Sequence, residues 1–134
     1  MKKVLFVCIE NSNRSQMAQA FAHIHGSDQI EAYSAGSKPS GRINPKAIAS
    51  MSELGYDLNI HHSKALGEIP QIPFDAVVTM GCGDACPWIP AKITEDWNIP
   101  DPKEMNEDDF RKVRDLIETN VRELLHRLGA WSSQ

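Results

Sequence analysis

Apolar positions along this chain fall into short solid runs separated by stretches of helical period. The first run, "KVLFVC" at 3–8, is β-branched and aromatic at consecutive positions, the pattern of a strand buried on both faces. From Ser15 to about His25 the chain is rich in Ala and Met, with Met17, Ala20, Phe21 and Ile24 apolar and Gly26 as a stop, which predicts a helix. "IEAYSAG" at 30–36 reads as a second strand running into a turn. The next helix is the best signposted: Asn44 as cap, Pro45 at the first helical position, Ile48, Met51 and Leu54 on one face, and Gly55 past its end, giving 45–54. "FDAVVTM" at 74–80 is a third buried strand, and "ITEDWNI" at 93–99 is predicted as a fourth. After Asn106, acids fill a first turn and Phe110, Val113, Ile117, Val121, Leu124 and Leu128 recur at helical spacing up to Gly129.

Strands alternating with helices predict the α/β class: a four-stranded, open parallel sheet flanked by helices on both faces. The 134 residues fit a single domain spanning 1–134. In such sheets ligands bind at the carboxyl ends of the strands. If the first and third strands are neighbours, ~4.8 Å apart, Cys8 and the later pair Cys82 and Cys86 gather at one end of the sheet.

Composition narrows the function. Hydrophobic residues make up 41% and charged residues 24%, the usage of an ordinary globular chain. A net charge of -4 without a block of basic residues argues against nucleic acid. The longest apolar stretch, "VLFVCI", is far short of the ~20 residues that span a bilayer. "ENSNRS" follows it where a secretory signal would need small residues before a cleavage site. We therefore expect no membrane partner, a cytoplasmic location and, since nothing demands more, a monomer. Three cysteines cannot all pair, and a chain of this length needs no staples, so their spacing points to redox chemistry, catalysis or metal.

Strand, Cys8, five small or polar residues, Arg14-Ser15, then helix is a constellation with a physical logic. A loop leading into a helix presents successive backbone N–H groups, and the helix end adds partial positive charge, so an oxyanion can be held by Cys8, Ile9, Glu10, Asn11, Ser12, Asn13, Arg14 and Ser15. Arg14 offers a planar fork for two oxygens of a tetrahedral anion. The same field stabilises a thiolate at Cys8 as nucleophile. Ser15 can donate to that thiolate, and Asn11 can brace the loop. Cys82 and Cys86 in "GCGDACP" lie four apart, which on a helix would put their Cα atoms at ~6 Å, inside the disulfide range. Zinc would need about four ligands; with Cys8 used for chemistry only two cysteines remain, so no metal is expected. Among the other polar residues, His23 and His25 fall near the end of the first helix, where imidazolium suits the dipole, and His126 is expected on the surface of the last helix.

"CIENSNRS" resembles the C-x5-R-[ST] loop of low-molecular-weight protein tyrosine phosphatases, in the form used by thioredoxin-coupled arsenate reductases on the same fold. The resemblance continues through "SQMAQAF", "SAG", "NPKAIASMSELGYDL", "HHSK", "FDAVVTM" and "EDWNIPDP". It implies reduction of arsenate to arsenite. Cys8 would attack arsenate, Cys82 would attack the adduct to release arsenite, and Cys86 would carry the disulfide outward to an external thiol reductant, with thioredoxin expected and no bound cofactor. It also implies that Asp101 protonates the leaving oxygen and that Asn11, Ser34 and Lys64 support the loop. Three departures stand out. Glu10 replaces a common Gly, Asn13 stands where some members have Cys, and Gln19 and Lys64 replace acids that hold potassium in some members, so the Lys64 ammonium is expected in place of a cation. Two rival functions remain: a phosphatase for phosphotyrosine or small esters, for which the tyrosine common after Asp-Pro is missing, and a non-catalytic oxyanion-binding or metal-binding module.

Overall fold

The computed structural model describes residues 1–81 and 88–131. Its strands are β1 (Lys2–Cys8), β2 (Ile30–Gly36), β3 (Phe74–Met80) and β4 (Ala91–Trp97); its α-helices are α1 (Arg14–Gly26), α2 (Pro45–Ser52) and α3 (Glu107–Leu128). The sheet has the order β2-β1-β3-β4 and every pairing is parallel. β1 is therefore central, and the connections leaving β1 and β3 diverge at the carboxyl edge where Cys8 stands, the place at which such sheets bind ligands.

Burial follows the sequence pattern. Val4 through Val7 are fully buried on β1, whereas β4, at the edge, alternates between half-buried and exposed positions. Val4 and Phe6 join a core with residues of all three α-helices, among them Met17, Phe21, Met51, Phe110, Ile117 and Leu124. Full burial of side chains of this size contributes roughly 1.5–3 kcal/mol each. Leu5 and Val7 face the other way, packing with Ala35, Ile69, Phe74 and Val77 under a short 3-10 turn, Leu66–Glu68. Helical structure thus covers both faces, but unequally: the α-helices share one side and the far side is roofed by short turns and loop.

Several boundaries differ from expectation. β1 begins one residue early, at Lys2. α1 begins one residue early, at Arg14, without a side-chain cap. α2 ends at Ser52 rather than 54, although Asn44 caps it through Lys46 N–H as expected. β4 is shifted two residues toward the N-terminus, because its pairing with β3 starts at Phe74 opposite Ala91, and Ile99 turns its N–H back to the Trp97 carbonyl. At the end of α3, Gly129 adopts φ 68°, the left-handed cap that glycine accepts without strain. No described helix is long and apolar enough to cross a membrane.

Candidate oxyanion site

The link between β1 and α1 folds down onto β2. Gly36, opposite Cys8 in the register, has no Cβ to obstruct it: one would lie 2.5 Å from the Ile9 carbonyl oxygen and 3.0 Å from Asn11 N. The loop carbonyls turn outward to neighbours. Ser37 N–H donates to Cys8 O (3.2 Å), Lys38 N–H to Ile9 O (2.8 Å), Ser40 N–H and the Ser63 hydroxyl to Glu10 O (3.0 Å each), and Asn44 N–H to Ser12 O (3.1 Å). Among the described residues no acceptor takes the backbone N–H of Ile9, Glu10, Ser12 or Asn13. Those donors, with the uncapped first turn of α1, form the kind of concave array that binds anions.

Asn11 holds this shape. Its φ of 51° is left-handed, a conformation Asn tolerates better than most residues, and its side chain is fully buried. Its Nδ2 donates to Ser15 Oγ (2.7 Å), while its Oδ1 accepts from Lys64 N–H (3.0 Å) and from Gln16 Nε2 (2.8 Å). Gln16 Nε2 also faces the carbonyls of Asn11 (3.1 Å) and His62 (3.0 Å). Oxygens on every side fix the amide orientation, so Gln16 Oε1 must accept, and the His61 Nδ1 at 2.9 Å carries the hydrogen. His61 Nε2 then accepts from the Tyr56 hydroxyl at 2.6 Å. Burial above all, helped by the charges of His23, Lys64 and His62, pushes the His61 imidazole down to about 4, which keeps it in this neutral tautomer.

Cys8 Sγ lies 2.9 Å from Ser15 Oγ, both residues being buried. A thiolate can only accept, so in that state Ser15 is the donor. Arg14 is buried beside them. Its Nη1 donates to the Ile99 carbonyl (3.0 Å) and its Nη2 sits 3.8 Å from Asp101 Oδ2. Gly81 has φ +74°, a backbone conformation that favours glycine, and a Cβ there would come within 2.2 Å of Arg14 Nη1, so any side chain would displace the guanidinium. Cys8, Ser12, Asn13, Arg14, Glu10 and Asp101 line a cavity of about 50 Å³. Such a volume admits about four water-sized groups, the size of a tetrahedral oxyanion. A cysteine sulfur, an array of free N–H donors and a guanidinium thus meet a carboxyl group across a space that fits arsenate or phosphate.

Residues 3–133 match the family described as low molecular weight phosphotyrosine protein phosphatase. The chain belongs to that family. Among its relatives, a glutaredoxin arsenate reductase of Synechocystis sp. is 38% identical over 132 residues, covering 96% of this chain and 100% of the relative. An arsenate reductase solved in the phosphate-binding state is 38% identical, superposes with a TM-score of 0.87, and matches 95% of this chain and 98% of its own. A thioredoxin-dependent arsenate reductase of Corynebacterium glutamicum is 32% identical with a TM-score of 0.78, over 96% of this chain and 62% of the longer neighbour.

Within this family member the sequence-derived site residues are placed as follows. Cys8, Arg14 and Asp101 converge on the cavity, Ser15 lies buried behind it on the Cys8 sulfur, and Asn11 braces the loop. Lys64 supports it through its backbone N–H, while its ammonium donates to Ser34 Oγ (3.3 Å) and to the His62 carbonyl (3.2 Å). Ser34 in turn donates to Gln19 Oε1 at 2.6 Å, one step removed from the loop. Cys82 and Cys86 lie outside the described residues. Glu10 does not face the anion alone: Lys103 Nζ reaches its carboxylate at 3.1 Å. Asn13 Oδ1 is buried without a partner among the described residues, and nothing in the structure explains its choice over Cys.

Sequence reading missed Gln16, His61, Gly81 and Lys103. Gln16 follows the motif directly and looks like an ordinary helix residue, and the other three reach the site through distant partners, His61 with Gln16, Gly81 with Arg14 and Lys103 with Glu10. His126 is exposed on the surface of α3 as expected, and there it stacks on Trp131 with ring centres 4.4 Å apart. His25 pairs with Glu118 at 2.7 Å instead of serving only the helix end.

Proposed function

We propose that this protein reduces arsenate to arsenite by a three-cysteine relay. The observation that carries the reading is the Cys8 sulfur, hydrogen-bonded to Ser15, at the floor of an oxyanion-sized cavity shared with Arg14 and Asp101. In the first step the Cys8 thiolate attacks the arsenic, and an arsenate oxygen leaves as water with a proton from Asp101, forming a Cys8 S–As bond at arsenic(V). In the second, the Cys82 thiolate attacks Cys8 Sγ; the S–As electron pair stays on arsenic, which leaves as arsenite, and the two thiols have become a disulfide. Cys86 then attacks Cys82, frees Cys8 and leaves a Cys82–Cys86 disulfide, which a two-electron thiol donor reduces.

For the donor we propose a thioredoxin-type dithiol, because an intramolecular disulfide is cleared by one dithiol through a mixed disulfide. The Corynebacterium neighbour is thioredoxin-dependent, whereas the Synechocystis relative is named for glutaredoxin, so both donors belong in the assay. The test is NADPH-coupled turnover of arsenate by the parent, Cys82→Ser and Cys86→Ser proteins. Multiple turnover must vanish in both variants while slow hydrolysis of an aryl phosphate survives. Rapid ester hydrolysis without arsenate-dependent NADPH consumption by either donor system would make the protein a phosphatase.

A further inference from the structure

Glu10 is an odd residue to find in a loop that binds anions, and its partner gives it a use. Lys103 follows Asp101 by two residues and holds both sides of the cavity mouth. Its backbone N–H donates to Asp101 Oδ1 (3.1 Å), and its Nζ lies 3.1 Å from Glu10 Oε2 and 3.5 Å from Oε1. The segment is anchored from behind by Lys46, whose Nζ donates to the carbonyls of Lys103 (3.4 Å) and Met105 (2.9 Å). Beyond the pair lies a second, larger space. A groove of about 350 Å³, lined by Arg42, Asn44, Pro45 and Glu104, shares Glu10 and Ser12 with the 50 Å³ cavity and is bordered by Lys103.

We propose that the Glu10–Lys103 ion pair is a partition between the oxyanion cavity and this groove, and that it restricts the site to inorganic oxyanions by denying an ester's organic group the groove. The inference deepens the reading of the protein as an arsenate reductase and rests on it. An ester carries its organic group on the oxygen that Asp101 protonates, so that group must leave the cavity on the Asp101 side. Among the described residues, the Lys103 chain runs from Asp101 to Glu10 across that side. Arsenate has nothing to project there and is unaffected by the wall. The pair is exposed enough, with half the Lys103 side chain in solvent, that its contribution to folding is slight. Its variants will therefore fold, and the effect is sought in selectivity.

The experiment compares parent, Lys103→Ala, Glu10→Ala and the reversed pair Glu10→Lys/Lys103→Glu. Arsenite released in a single turnover by the reduced protein, which needs no donor, is measured beside p-nitrophenyl phosphate hydrolysis and competitive inhibition by inorganic phosphate. The ester-to-arsenate ratio of rate constants at low substrate should rise about tenfold in each single variant and return to within about threefold of the parent in the reversed pair. A ratio does not depend on the folded fraction, so a poorly folding variant cannot imitate the result. If the parent releases arsenite but Lys103→Ala leaves the ratio within about twofold, or the reversed pair is as permissive as the singles, the partition is overturned and the reductase reading stands. If the parent releases no arsenite, that reading fails, and the partition is judged on the ester KM relative to the phosphate inhibition constant, which must fall about tenfold on opening the pair.

Discussion

The sulfur of Cys8 and the hydroxyl of Ser15 lie 2.9 Å apart, and Ser15 is itself held by Asn11 Nδ2 at 2.7 Å. The amide contact occupies one Ser15 lone pair and leaves the hydroxyl proton for the sulfur. Ser15→Ala should lower the single-turnover rate of arsenite release about 100- to 1,000-fold, the usual cost of losing one preorganised donor, while inorganic phosphate still competes for the loop. Ser15→Thr, which keeps the hydroxyl, should recover most of the rate; a threonine variant as slow as alanine would count against the donor role.

Gly81 should not accept a side chain. Gly81→Ala places a Cβ 2.2 Å from Arg14 Nη1 in a left-handed backbone, so Arg14 must move. We expect a loss of about 1–3 kcal/mol in denaturant unfolding together with weakened phosphate binding. At Gly41, also left-handed but with open space around it, the same substitution should cost stability alone.

The pH dependence of stability should carry a His61 signature. Its pKa is lowered from 6.5 to about 4 on folding, so between those values the unfolded chain binds more protons, and stability, fully present above about 6.5, is lost as pH falls toward 4. The contribution is about 2 kcal/mol after allowance for partial exposure. His61→Asn, whose amide nitrogen overlies Nδ1 and can still donate to Gln16, should flatten the melting temperature between pH 6.5 and 4.5. An unchanged acid slope would place the effect elsewhere.

Lys64 bears on cation dependence. Its ammonium reaches Ser34 Oγ and the His62 carbonyl, and burial lowers its pKa with Glu68 opposing. Exchanging potassium for tetramethylammonium at constant ionic strength should leave phosphate inhibition within about twofold. Crystals soaked in rubidium or thallium should show no ion beside Asn11, and an occupied site there would refute the substitution of ammonium for cation.

Local information was sufficient for much of this protein. Alternating apolar runs and helical stretches, with Asn44, Asn106, Gly55 and Gly129 at their ends, specify the elements and the parallel α/β class, because burial period and capping act over a few residues. The proposed nucleophile, the arginine and the proposed anion-binding loop are likewise consecutive in sequence, between Cys8 and Ser15. What tertiary structure alone decided are the partnerships across large sequence separations: Gln16 with His61, Arg14 with Gly81 and Ile99, and Glu10 with Lys103. Hydrogen bonds and ion pairs are set by position in space, and the strand order β2-β1-β3-β4 brings three distant connections to one end of β1. The charge that looked misplaced in the loop, Glu10, finds its counterion ninety-three residues away.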